Sequence, residues 1–185
     1  LYSWPELPAD VSIGRLPDGS RTWSLFPIPS PGERNTTDVA RTRVAGTVNL
    51  VSADGHITSH PNNKDRIRYT TDGAAVTDSS PLLTDGLLVT PGRVVRARRM
   101  PTNALPGPET MLTVQDGRRE PTYISIAGDP VALYNDTSGI LAEGAAANFS
   151  RSGPAWQKPV LVELAFEDTN SVCPLGLAVA GSGSR

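Results

Sequence analysis

Cysteine is nearly missing from this 185-residue chain: Cys173 stands alone, which excludes an internal disulfide framework and a cysteine-built zinc site. Lysine is almost as scarce, Lys64 and Lys158 being the only two among 17 basic residues. Such an arginine bias is what a GC-rich coding sequence produces, and it carries little functional weight. Aromatic residues make up 5% of the chain. No segment approaches the roughly 20 apolar residues of a membrane-spanning helix, and no signal-peptide pattern is present. A formal charge of −2 supplies no overall positive field for nucleic acid.

What the chain has in quantity is glycine and proline, 17 of each and spread throughout, which excludes a long-helix bundle or a coiled coil because both residues break helices. Asp-Gly pairs supply the positive φ angles of tight hairpins, and they stand at Asp18-Gly19, Asp54-Gly55, Asp72-Gly73, Asp85-Gly86 and Asp116-Gly117. Between them lie short segments rich in β-branched residues: 11–16, 22–28, 39–52, 66–71, 87–90, 93–100, 110–115, 122–126, 131–134, 159–166 and 172–180. This rhythm predicts an all-β fold, a β-barrel or β-sandwich of many short antiparallel strands with long Pro/Gly-rich loops. Residues 1–180 are expected to form one domain, with 181–185 a linker or a cloning remnant. The opening at Leu1 and the close Gly181-Ser182-Gly183-Ser184-Arg185 read as cut ends of a larger precursor.

The clearest strand runs from Val160 to Phe166, where Val160, Val162, Leu164 and Phe166 form one apolar face directed at the core. A longer one spans Arg41 to Val51, with a bend or bulge expected at Gly46. Ile140 to Phe149 is the one helical candidate, limited to a turn or two by Gly144. The loops at 27–37, 61–65 and 102–109 exceed what a minimal sandwich needs, and long loops on a rigid scaffold are where binding residues gather.

No catalytic motif emerges. His56 and His60 share a face of an extended segment, yet a metal would need further ligands, and two exposed polar residues near a turn is the plainer reading, so no metal is assigned. Ser152-Gly153 lacks the first glycine of a nucleophile elbow. Cys173 lies in an apolar run suited to a buried structural thiol. Glu163 and Glu167 have only chance specificity as a carboxylate pair. Neither common phosphate-binding glycine loop occurs. The chain is accordingly expected to be no enzyme and to take no cofactor.

Two binding features stand out. Arg93, Arg96, Arg98 and Arg99 concentrate positive charge on one segment that, if extended, turns Arg96 and Arg98 to one face. They suit an anionic glycan or receptor, or else guard an edge strand or pair with Asp65, Asp72 and Asp116. Trp4 and Trp156 lie in Pro-flanked loops, where an aromatic either anchors the loop or offers a flat contact for a sugar ring or a partner protein. Trp23, alternating with polar neighbours beside Leu25, reads as core. Sequons at Asn35, Asn135 and Asn148 have meaning only in a secreted protein.

The opening Leu1-Tyr2-Ser3-Trp4-Pro5-Glu6-Leu7, the stretch Trp23-Ser24-Leu25-Phe26-Pro27-Ile28-Pro29, the strand-and-turn rhythm and the apolar close from Val160 to Ala180 together resemble capsid spike (protruding) domains of non-enveloped positive-strand RNA viruses. The astrovirus spike is the first comparison and its hepevirus counterpart the second. That resemblance implies a spike made in the host cytoplasm and carried on the virion surface, pairing as a homodimer. It would attach to a host receptor, glycan or protein, and meet neutralising antibodies, with no nucleic acid bound and no membrane inserted. The alternative is a carbohydrate-binding β-sandwich module of a larger cellular protein, with Trp4 or Trp156 as the sugar platform.

Overall fold

The computed structural model describes residues 7, 11–37, 40–41, 43–60, 66–115, 122–144, 147–165 and 175–180, and over these the chain is mostly antiparallel strand. β1 (Ser12–Arg15) and β2 (Trp23–Phe26) form a hairpin whose connection contains Asp18-Gly19. Its last pair sets Arg15 opposite Trp23, and the Arg15 guanidinium lies 5.0 Å from the indole centroid, a cation–π contact. β3 (Asn49–Ala53) and β4 (His56–His60) are joined by Asp54-Gly55, with φ of 51° and 77°. Two consecutive left-handed residues are what a two-residue hairpin of matching twist demands, so this turn follows directly from the dipeptide.

β5 (Ile67–Thr70), β6 (Leu87–Leu88), β7 (Val94–Arg99) and β8 (Thr110–Thr113) complete two three-stranded sheets, ordered β3-β4-β6 and β5-β7-β8. The first sheet supplies Ile57, Leu50 and Leu87 and the second Val95 and Leu112 to one shared apolar cluster, which Val89 and Val114 close. Val48, Ile67 and Ala97 extend it, with Leu50, Tyr69 and Leu83 touching both parts. The two sheets thus pack as a sandwich, and each fully buried aliphatic side chain contributes about 1.5–3 kcal/mol. The described strands form no closed barrel.

The remaining strands build a separate sheet. β9 (Tyr123–Gly128), β10 (Gln157–Ala165) and β11 (Leu175–Ala180) lie in the order β11-β10-β9, with β10 central. Leu133, Ile140 and Trp156 pack on Val160 and Val162 of β10, the face that the apolar alternation marked for the core. Phe166, the last member of that alternation, lies outside the described residues. On the opposite face Glu163 is 3% exposed, so β10 is covered on both sides.

Three local expectations are corrected. Residues 131–134 are no strand: α1 (Pro130–Tyr134) begins there, with Asp129 as its N-cap accepting from Val131 N at 2.8 Å and proline at the first turn. Capping and a preset φ outweigh the β-branched composition of one turn. The described residues of 140–149 form turns and irregular chain in place of the helix, with Gly144 and Ala147 at φ of 54° and 49°. Of the strand expected over 41–51 only its end enters β3. Upstream, Arg41 and Val44 make single bridges to Leu25 and Leu105, and the chain at 45–46 runs so close to Gly107 that a Cβ there would stand 2.5 Å from Gly46 O.

Candidate functional site

β7 is the middle strand of its sheet, and loops packed over that sheet decide the fate of its arginines. Arg96 is 8% exposed and sends two donors to one oxygen of Glu109, Nε to Oε2 at 3.1 Å and Nη2 to the same atom. Its Nη1 donates to Gly73 O at 2.6 Å, while Glu109 Oε1 accepts from Val76 N at 2.9 Å. The pair therefore clamps the turn at 72–76 onto the sheet. Arg98 Nε donates to Gly107 O. Arg99 is buried beside Gly46 on the face that carries Val95 and Ala97. Arg93 alone is exposed. The four arginines do not make one basic surface, because Arg96 and Arg99 are buried and the guanidinium groups of Arg96 and Arg98 donate to Glu109, Gly73 O and Gly107 O.

Trp4 lies outside the described residues. Trp156, at the end of the 3₁₀ turn Pro154–Trp156, is half-buried against Leu133, Ile140, Val160 and Val162, so it anchors a loop. Trp23 is likewise half-buried, capped by Arg15. His56 is exposed and its Nδ1 lies 3.2 Å from Asp54 O. Among the described residues no group of three or more His, Cys, Asp or Glu stands within reach of one metal ion. Cys173 and Glu167 lie outside the described residues.

Glu163 is a structural group here. Its Oε2 accepts from both Thr113 N at 2.8 Å and Thr113 Oγ1 at 2.6 Å, and its Oε1 accepts from Tyr123 Oη at 3.1 Å. Burial first and the Glu163 charge second raise the Tyr123 phenol above its ordinary value of 10.0. The three sequons differ in the same physical way. Asn148 is fully buried and donates to Asp136 O, Asn35 donates to Arg15 O, and Asn135 is exposed with its Oδ1 accepting from Thr137 N and Ser138 N.

Exposed apolar surface gathers where no motif pointed. In the segment after β9, Tyr134 is 64% exposed and Phe149 50%, with Val131 and Leu141 also exposed. The backbone beneath them is tightly braced: Leu141 N donates to Leu133 O, Gly139 N to Asn135 O and Asn148 N to Glu143 O. The Asn148–Asp136 bond, 2.8 Å, ties the Phe149 end of the segment to the Tyr134 end. Gly139 is required at the crossing, since a Cβ there would stand 2.4 Å from Asn135 N. No family model matches this chain, and no curated protein or solved structure matches it either. The sequence signal for the cluster was Asp129-Pro130, a helix start that brings Tyr134 to a helix end instead of a strand.

Proposed function

We propose that this chain is a non-catalytic, carbohydrate-binding β-sandwich module of a larger protein, with Tyr134 and Phe149 as its sugar-contacting aromatics. The observation that carries the reading is the exposure of both rings on one hydrogen-bonded loop cluster. A pyranose ring presents C–H groups on its flat side and hydroxyls at its rim. An exposed aromatic accepts the former, and the exposed polar side chains of Asn135, Asp136 and Thr137 offer partners for the latter. A braced loop loses little conformational freedom on binding, which favours affinity from a small contact. The test is a glycan array followed by titration calorimetry of the best hit. Tyr134→Ala and Phe149→Ala should each weaken binding at least tenfold while leaving the unfolding midpoint in place. Failure of the array to return any glycan sinks the reading.

A capsid spike that attaches to a host receptor at the virion surface is the second reading. The uncharged strand β9, an edge of its sheet among the described residues and suited to two-fold pairing, is what favours it. A basic arm and a shell domain encoded upstream of this segment would support it, and a catalytic domain there would remove it.

A further inference from the structure

β9 is an edge strand with an unusual composition for that place. Among the described residues it pairs only with β10, and Tyr123-Ile124-Ser125-Ile126-Ala127-Gly128 contains no charge and no proline, the two devices that ordinarily block an open edge. Ile124 is 68% exposed and Ile126 54%. Both lie on the sheet face that is core further along, opposite Leu164 and Val162 of β10. The cover over that face, Leu133, Ile140 and Trp156, sits on Val160 and Val162 and leaves the two isoleucines uncovered.

We propose that the occupant of this edge is a second copy of the same chain, paired antiparallel through β9 about a two-fold axis at Ser125. Antiparallel partners directly opposite one another point to the same face. An axis at Ser125 therefore sets Ile124 against the partner's Ile126, and the reverse, so each exposed isoleucine gains an apolar cross-strand neighbour. Charge selects this occupant. Two-fold pairing sets Ser125 opposite its own copy and Ile124 and Ile126 diagonal to theirs, so a charge at any of the three would stand against its like, and β9 has none. Three-stranded sheets on each side then become one continuous six-stranded sheet. A single strand pair buries less than the ~800 Å² per partner of a standard interface, so the dimer exchanges with monomer at micromolar concentration. This inference stands independently of the ligand, although two copies would present two glycan sites with the gain of multivalency.

The test is sedimentation equilibrium of the whole chain over about 1–1,000 µM together with a cross-link at the axis. In a Cys173→Ser background, Ser125→Cys places two thiols directly opposite, within the Cα separation a disulfide needs. It should oxidise to a covalent dimer at least tenfold faster than Ser79→Cys, an exposed control in a turn of the sandwich. Adding Ile124→Lys should abolish that advantage and weaken the dimer tenfold or more, with an unchanged circular dichroism spectrum. A chain that stays monomeric throughout, or a control that cross-links as fast as Ser125→Cys, overturns the proposal. Because these readouts need no sugar, a failed glycan array leaves them intact, and the converse also holds.

Discussion

Thr113 and Glu163, fifty residues apart, are joined twice at one atom: the Thr113 backbone N–H and hydroxyl both donate to Glu163 Oε2. This contact links β8 of the sandwich to β10 of the separate sheet. Glu163→Ala would leave both half-buried Thr113 donors without their acceptor, and hydrogen bonds to a charged group contribute roughly 1.5–3 kcal/mol each. Urea denaturation should show a loss of about 3 kcal/mol, with Glu163→Gln losing less because it keeps an acceptor oxygen. Equal stability of all three chains would show that the contact holds nothing.

Tyr123 makes stability fall in strong alkali. Its folded pKa is raised above the unfolded value of 10.0, chiefly by burial and then by the Glu163 charge. Above pH 10 the unfolded chain has released a proton that the folded one retains. The stabilisation is therefore complete below pH 10 and is lost as pH rises through the folded value. Thermal melts from pH 9 upward should fall less steeply for Tyr123→Phe than for the natural chain. Parallel curves would contradict the assignment.

The Arg96–Glu109 pair predicts an asymmetry between single and double replacement. Its side chains are 9% and 14% exposed, so removing Arg96 strands a nearly buried carboxylate. Arg96→Met should cost about 3–5 kcal/mol, whereas Arg96→Met with Glu109→Leu should recover most of that loss. Chemical denaturation of four chains, the natural one, Arg96→Met, Glu109→Leu and the double replacement, reads the cycle directly, and additivity of the two single replacements would refute a coupled pair.

Much of the fold was legible because its signals are local. Asp54-Gly55 specified a hairpin through its own φ preferences, and Val160, Val162 and Leu164 marked a core face by alternation. Where the reading failed, the deciding force was not the composition of the segment. Residues 131–134 look like strand, but Asp129 and Pro130 lie just upstream and start a helix. The arginines of β7 look like a surface charge until Glu109, Gly73 and Gly107 are brought beside them from other parts of the chain. Tyr134 and Phe149 escaped notice for the same reason, since exposure belongs to the packed molecule and no residue carries it alone.

The scarcity of cysteine and of long apolar runs, with the abundance of glycine and proline, determined by themselves that this is a strand-and-turn protein. Backbone preference and two-residue alternation act over a few residues, so sequence suffices to read them. Which charges are neutralised inside, which aromatics remain in water and which strand is left at an edge were decided only by the tertiary structure. Those outcomes depend on groups distant in sequence competing for the same interior, as Thr113 and Glu163 do across fifty residues.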